Sequence, residues 1–464
     1  EIGSGLVGSE MCIRDSLLVV LTLGSCKIGK SYVRPELNLP DSLAQHQDSL
    51  SFGDKEWWQI YTDSTLRSLI DRALEHNKDM LIAAARVKEM AAQKRISTAN
   101  LLPDIRGTVT AERENENHGG DAFKRSDTFE AQLLFSWELD LWGNLRWARS
   151  ASIAEYLQSV EAQRALRMTI IAEVAQAYYE LVALDTELDI VRQTLKAREE
   201  GMRLARIRFE GGLTSETSYR QSQVELARTA TLVPDLERKI SLKENDIAFL
   251  AGEYPNKITR SRLLQEFNFP QELPVGLPSG LLERRPDIRQ AEQKLIAANA
   301  RVGVAYTNMF PRISLTGRVG SESTALSELL KSPYSIMEGA LLTPILGWGK
   351  NRAALKAKKA AYEAEVHSYE KAVLTAFKET RNSIVNFNKI KEVYDLRAKL
   401  ERSAKSYVDL AQLQYINGVT NYLDVLDAQR GYFDAQIGLS NAIRDELIAV
   451  VQVYKALGGG WQVQ

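Results

Sequence analysis

The chain has 464 residues, of which 44% are hydrophobic and 26% are charged, and its formal net charge is -1. This balance excludes a disordered chain and a strongly basic surface for nucleic acid, so we predict an ordered protein with no nucleic-acid partner. Two cysteines and four scattered histidines do not supply a disulfide framework or a Cys/His metal cluster. We therefore predict no cofactor and no metal site.

The amino-terminal region carries an apolar run, Ser16–Ser25, which is too short to span a bilayer as a helix but suits the core of a signal peptide. The run ends in Leu-Gly-Ser-Cys, and Cys26 is followed by a lysine. This order resembles a bacterial lipobox and favours lipidation of Cys26, whereas the alternative is an ordinary buried cysteine after a cleaved signal. We interpret residues 1–25 as a non-native leader and signal peptide, and residues 26–62 as a lipid anchor and extended tether.

The next segments change from a helical period to a strand period. Apolar residues at three-to-four spacing predict a helix over Ser64–Leu101, with a break around Asn77 and an end before Pro103. Two-residue alternation then predicts a strand over Ile105–Glu112 and, after a polar loop, a longer return strand over Thr128–Leu141.

The return strand separates apolar from charged side chains over a length that suits a transmembrane barrel strand of about 9–11 residues. Trp137 and Trp142 lie towards one end of it, where a membrane barrel carries an aromatic belt. Trp348 follows Trp142 at a distance of 206 residues and belongs to the same predicted belt. A long strand of a soluble sandwich is the alternative.

After Gly143 the period returns to that of a helix. A rod is predicted up to Phe209, and at this length it spans about 100 Å. Apolar residues at sevenfold spacing predict a coiled-coil seam along it, formed by Val174, Leu181, Leu188 and Leu195. Gly211 and Gly212 then turn the chain, and Glu216–Leu250 returns antiparallel to the rod.

The same order of elements recurs in the second half. After a linker rich in Pro, Asn and Gly, the sequence predicts a helix over 281–308, strands over 313–319 and 334–346, a rod over 351–415 and a return helix to Leu457. Gly418 lies 206 residues after Gly212. We therefore predict an internal duplication, with a first repeat over 63–255, a linker over 256–280, a second repeat over 281–457 and a tail over 458–464.

The turn between the last two predicted helices is followed by two acidic residues. Gly418 suits the left-handed backbone that ends a helix, and Thr420 or Asn421 can cap the next one. Asp424 and Asp427 stand three residues apart, so they share one face in the first turns of the new helix. These acids are either solvated helix-start residues or the charge of a functional surface.

No motif in the sequence indicates catalysis. The sequence contains no Walker loop, no nucleophile elbow and no HExxH. Asp424 and Asp427 would lie side by side on one helix, whereas the two carboxylates of a hydrolase flank a substrate. We predict that the protein is not an enzyme, and hydrolysis by these two acids is the alternative.

The number of strands constrains the assembly. One chain supplies four predicted strands, whereas small closed barrels need about eight. Because open strand edges are not tolerated in lipid, strands from several chains must combine. An oligomer is therefore required, and three chains would give twelve strands.

Five sequence stretches together resemble the TolC-like outer-membrane efflux channels, most closely the OprM/NodT-type lipoprotein branch. They are FSWELDLWGNLR, RFEGGLT, LPSGLLERRPDIRQAEQKLIAANARVGVAYTNMFPRISLTGRVG, QYINGVTNYLDVLDAQ and LGGGW. The resemblance covers about Lys27 to Trp461. It implies a mainly α-helical, lipid-anchored homotrimer, in which a twelve-stranded transmembrane β-barrel in the outer membrane continues as an α-helical periplasmic tunnel.

The resemblance also implies partners and a function. A periplasmic adaptor and an inner-membrane pump, of the RND type, would deliver drugs, toxic organics or metal ions to the channel. The channel would conduct them unaltered to the outside. The alternatives are a trimeric coiled-coil envelope spacer and a polypeptide secretion duct of a one-step exporter.

Several positions match functional residues of that family. Asp424 and Asp427 match the paired aspartates of the periplasmic entrance, and Tyr415 matches a tyrosine that helps to tie the inner helix hairpins shut. Thr420 and Ser218 stand where some members carry an arginine and its aspartate partner, so this chain departs from that lock. The residues that match the adaptor-docking hairpin tips are Gly211, Gly212, Leu213, Thr214, Gly418 and Val419.

Overall fold

A computed structural model gives the architecture of the chain. It describes residues 27–40, 51–117, 119, 124–261, 263–267, 273–274, 278–343 and 347–461. The helices within these ranges are α1 (Trp57–Ile60), α2 (Ser64–His76), α3 (Lys78–Ala99), α4 (Asn144–Glu210), α5 (Glu216–Leu250), α6 (Pro278–Arg284), α7 (Pro286–Thr307), α8 (Trp348–Ile416) and α9 (Tyr422–Ala456). Across these ranges, no helix has an apolar stretch long enough to cross a bilayer.

The helical predictions are confirmed in their main features. The chain breaks between α2 and α3 at Asn77, and α5 has its predicted bounds. The seam along α4 is also present, since Val174, Leu181 and Leu188 are buried and Leu195 is half-buried. Packing of this stripe helps to stabilise a helix of 67 residues.

One helical prediction is wrong in its continuity. The helix expected over residues 281–308 is two helices, α6 and α7, which are separated at Arg285. Pro286 disfavours helical backbone at the residue before it and is itself well placed as the first residue of a helix. The Arg285 Nη1 atom donates to the carbonyl of Ala456 at 3.1 Å, so the break is also held to the end of α9.

Four strands form one sheet in the order β1-β2-β3-β4, and every neighbouring pair is antiparallel. Their bounds are β1 (Asp104–Glu116), β2 (Lys124–Leu139), β3 (Arg312–Ser323) and β4 (Pro333–Leu342). The first two strands extend into the loop predicted between them. β4 ends earlier than predicted, and residues 344–346 lie outside the described part of the chain.

The register of the sheet sorts side chains into two faces. Leu133 pairs with Val319, and Phe135 pairs with Gly317, which in turn pairs with Met337, so apolar residues line up across the strands. Val319 and Met337 are exposed within the chain. The opposite face is polar, with the hydroxyl of Tyr334 donating to Gln132 at 3.2 Å and Arg318 donating to Glu338 at 3.2 Å.

The chain divides into two compact units. One comprises the described residues within 27–36, 86–160 and 290–370 and contains the sheet, with a small core around Trp147 and Ala300. The other comprises the described residues within 37–85, 161–289 and 371–461 and holds the main core. That core contains the largest fully buried side chains, among them Trp57, Tyr178 and Tyr454.

In the first unit, the segment that follows Cys26 is held against the junction between β2 and α4. The amide of Ile28 donates to the carbonyl of Trp142 at 3.2 Å, and the indole of Trp147 donates back to the carbonyl of Ile28 at 2.8 Å. Further along, the guanidinium of Arg34 makes a bidentate contact with Glu292, at 2.6 and 2.7 Å. The start of the described chain is therefore fixed in place.

Candidate functional site at the two hairpin turns

The turn between α4 and α5, which we call the first tip (residues 207–221), ends a helix with a left-handed glycine. Gly212 has a φ of 72°. Its amide donates to the carbonyl of Phe209 at 2.9 Å, and the amide of Leu213 donates to the carbonyl of Arg208 at 2.8 Å. These paired bonds satisfy carbonyls at the end of α4, as in a Schellman motif.

The turn between α8 and α9, the second tip (residues 413–427), repeats this backbone. Gly418 has a φ of 75°. Its amide donates to Tyr415 at 3.1 Å, and the amide of Val419 donates to Gln414 at 2.9 Å. The prediction of a left-handed helix end at Gly418 is therefore confirmed, and the two tips are structural equivalents at a separation of 206 residues.

The helices that leave the two tips begin differently. Asn421 caps α9 with its side-chain oxygen, which accepts from the amide of Asp424 at 3.1 Å, and the Asp424 carboxylate accepts in return from the amide of Asn421 at 3.4 Å. Asn421 is thus the cap, while the Thr420 hydroxyl donates to Asp424. Ser215, the equivalent residue before α5, makes no side-chain capping bond.

The two acids of the second tip lie on its surface. Asp424 is exposed, and the side chain of Asp427 is 73% exposed with Arg430 Nη1 at 4.0 Å. The equivalent positions of the first tip hold half-buried Ser218 and Gln221. The formal carboxylate charge of the equivalent positions therefore belongs to the second repeat alone.

An aromatic contact connects the tips. The ring of Tyr415 lies 5.3 Å from that of Tyr422, and the guanidinium carbon of Arg208 lies 4.3 Å from the centre of the Tyr415 ring. This is a cation–π contact between the end of α4 and the end of α8. Tyr422 is buried, and burial raises the pKa of its hydroxyl to about 12.

Thr420 and Ser218 are not joined directly in this chain. Within the described residues, no hydrogen bond joins them, because the Thr420 hydroxyl is directed to Asp424 on its own helix. The apolar residues at the ends of the tips are open, with Leu213 77% and Val419 75% exposed. The hydroxyl of Thr214 is shielded and has no hydrogen-bond partner among the described residues.

Sequence reasoning missed a buried ion cluster close to the tips. The side chains of Arg198 and Glu225 are each only 6% exposed, and Arg198 Nη1 lies 3.1 Å from Glu225 Oε2. Arg228 and Arg430 each approach the other Glu225 oxygen at 3.6 Å. A signal existed in the sequence, since Arg198 follows the buried Val191 by seven residues and so occupies the packed face of α4.

The predicted belt tryptophans lie near the ends of the strands. The indole of Trp137 donates to the carbonyl of Leu101 at 3.1 Å, and that of Trp142 donates to Pro311 at 2.7 Å while its ring stacks on Phe310. Trp348 is the first residue of α8 and is half exposed. Cys26, the predicted lipidation site, lies outside the described residues.

Comparison with known proteins decides the family. The sequence profile of the outer membrane efflux protein family matches residues 69–253 and 277–459, which are the two halves of the chain. The chain belongs to this family. The match in two segments agrees with the duplicated hairpins and strands described above.

Relatives in the efflux family match along nearly the whole chain. The outer membrane protein OprJ of Pseudomonas aeruginosa is 33% identical, over 96% of this chain and 95% of its own. The toluene efflux pump outer membrane protein TtgI of Pseudomonas putida is 32% identical, and the cation efflux system protein CusC of Escherichia coli is 28% identical, each over 96% of this chain and 98% of its own.

The fold agrees with solved structures of outer-membrane channels. The structure of OprN superposes with a TM-score of 0.88 at 28% identity, over 94% of this chain and 100% of that one. The long helical hairpins and the four-stranded sheet are therefore those of an outer-membrane efflux channel protomer.

Proposed function

We propose that this protein is the outer-membrane exit duct of a tripartite efflux system and passively conducts toxic small molecules from a periplasmic adaptor and an inner-membrane pump to the outside. The observation that carries the proposal is the sheet. One of its faces is apolar and the other polar, its strands are of membrane length, and β1 and β4 are each paired on one side only among the residues that the structure describes.

The open strand edges support a trimer. In lipid, unpaired backbone groups along β1 and β4 cost several kcal/mol each, so these edges must pair with other copies of the chain. Three copies give a closed twelve-stranded barrel with its polar face inside. The apolar face, which includes exposed Val109, Leu133 and Met337, then contacts lipid, and Trp137, Trp142 and Trp348 form the aromatic belt at its periplasmic rim.

The two tips supply the entrance. In a trimer, Asp424 and Asp427 form a collar of six carboxylates at the narrow end of the tunnel, which favours cations. Tyr415 helps to hold the entrance closed through its contact with Arg208. The exposed apolar residues Leu213 and Val419, with the glycines beside them, provide the surface on which adaptor helices dock.

A lipid on Cys26 anchors the protein to the outer membrane. Support comes from the next residues, because Lys27 contacts the ring of Trp147 and Ile28 is hydrogen-bonded to Trp142 at the end of the predicted belt. Lys27 and Ile28 therefore lie at the level where the membrane interface is expected. We expect Cys26→Ser to abolish labelling with palmitate while trimers still assemble, and persistent labelling would place the lipid elsewhere.

Deletion of the gene tests the efflux function. We expect the deletion strain to become sensitive to toluene, dyes, detergents, antibiotics or metal salts, and we expect the intact chain to restore resistance. Unchanged sensitivity together with the loss of a secreted protein would favour a polypeptide duct. The names of the relatives, which include a toluene pump and a cation efflux system, do not favour that alternative.

A further inference from the structure

The buried ion cluster lies between the two helical hairpins, and Glu225 is at its centre. Glu225 belongs to α5 of the first hairpin and is 5% exposed. Arg198 comes from α4 of the same hairpin, and Arg228 comes from the next turn of α5. Arg430 comes from α9 of the second hairpin, so its contact with Glu225 connects the two hairpins.

Arg198 makes several buried hydrogen bonds, which we expect to persist when the hairpins move. Its Nη1 atom donates to the Glu225 backbone carbonyl at 2.9 Å, to the Glu225 carboxylate at 3.1 Å and to the Thr229 hydroxyl. Burial lowers the pKa of Arg198, and the charge of Glu225 acts in the opposite direction. Separation of such a buried pair would leave an uncompensated charge away from water, which is strongly unfavourable.

The contact between Arg430 and Glu225 is longer than that of Arg198, and the Arg430 side chain is more exposed. The side chain of Arg430 is 39% exposed, but its Nε atom is shielded from solvent and has no hydrogen-bond partner among the described residues, since it lies 3.6 Å from Glu225 Oε1. Its Nη1 lies 4.0 Å from Asp427. If α9 moved away, water would reach Nε and Arg430 would keep Asp427 as a partner. Glu225 would keep Arg198 and Arg228, so neither side would be left as an isolated buried charge.

We propose that Arg430 and Glu225 form a releasable ionic latch that holds the second hairpin against the first and favours the closed entrance. The proposal rests on the proposed function, because it assumes that the hairpins separate when the channel opens. It also provides a charged contact between the hairpins in a chain whose Thr420 and Ser218 carry no charge. Asp427 is exposed, and Arg430 contacts both Asp427 and the buried Glu225.

Single-channel recording of the full-length protein in planar bilayers tests the latch. A partly exposed ionic contact changes an equilibrium by up to about fivefold. We therefore expect Arg430→Met to raise the ratio of open to closed time about two- to fivefold, and Arg430→Lys, which keeps the charge, to raise it less. Arg220→Met is the matched control, since Arg220 lies in the first tip and pairs with Glu216 on its own helix.

A second variant separates a latch from a simple electrostatic effect on the pore. Glu225→Gln removes a negative charge, whereas Arg430→Met removes a positive one. A latch predicts that both variants open the channel and that the double variant opens no further than Glu225→Gln alone. If the two charges act only on permeating ions through their electric field, Glu225→Gln and Arg430→Met should change the cation conductance in opposite directions.

The outcomes are distinguishable. A wild-type protein that forms no channels would contradict the proposed function. Wild-type channels with Arg430→Met indistinguishable from Arg220→Met would overturn the latch and leave the function intact. If Glu225→Gln failed to assemble, the comparison of Arg430→Met, Arg430→Lys and Arg220→Met would still decide, because Arg430 is partly exposed and its removal leaves Glu225 with two arginines.

Discussion

The two hairpin tips have the same backbone and different side chains. Gly212 and Gly418 have φ values of 72° and 75°, and the amides around them donate to equivalent carbonyls. At the positions of the exposed Asp424 and Asp427 the first tip holds uncharged residues, and it lacks the reciprocally bonded cap of Asn421. The duplication therefore preserved the turn, in which a left-handed glycine ends the helix, while the two acids of the proposed entrance belong to one copy.

Removal of the acids should produce the largest effect. We expect Asp424→Asn with Asp427→Asn to remove most of the cation selectivity of the channel, because the carboxylate collar would lose all its formal charge. The measurement is the reversal potential in planar bilayers under a salt gradient. The matched change in the first tip, Ser218→Ala with Gln221→Ala, should leave selectivity unchanged. Unaltered selectivity in the aspartate variant would show that these acids lie off the pore.

The buried hydroxyl of Tyr422 should make the second tip sensitive to alkali. Its pKa in the folded protein is about 12, above the usual value of 10, so the neutral form is favoured by folding. The stabilisation is complete below pH 10 and is lost as the pH rises through 12, and it amounts to about 3 kcal/mol. Thermal unfolding between pH 8 and pH 12 should therefore show a smaller alkaline loss for Tyr422→Phe than for the wild type.

Tyr219→Phe is the matched control in the first tip, where the ring is half-buried and stacks on Phe209. We expect it to retain the alkaline loss of the wild type. Identical pH profiles for Tyr422→Phe and the wild type would contradict the assignment.

The caps should give the smallest difference between the tips. We expect Asn421→Ala to destabilise the start of α9 by about 1 kcal/mol, because a side-chain bond to a free amide is lost. Ser215→Ala should destabilise the start of α5 by only a few tenths of a kcal/mol, since Ser215 makes no such bond. Hydrogen exchange of the amides in the first turn of each helix measures both, and equal losses would show that the caps are equivalent.

Much of the fold could be predicted because it depends on local patterns. The long helices follow from apolar periodicity, and α5 has its predicted bounds although Pro234 lies inside it. The break at Arg285 was missed, although Pro286 was visible, because the apolar period continues across it. The choice between Thr420 and Asn421 as cap also required coordinates, since both residue types can cap a helix.

The candidate site divides in the same way. The sequence by itself determined the duplication, both turns and the placement of Asp424 and Asp427, because each depends on residues close together in the chain. Only the tertiary structure decided which charges meet, since Arg430 and Glu225 are 205 residues apart and have no equivalent pair in the other repeat. The position of Arg198 on the packed face of α4 can be predicted from its sevenfold spacing. Its partners are set by the packing of helices, which no local pattern specifies.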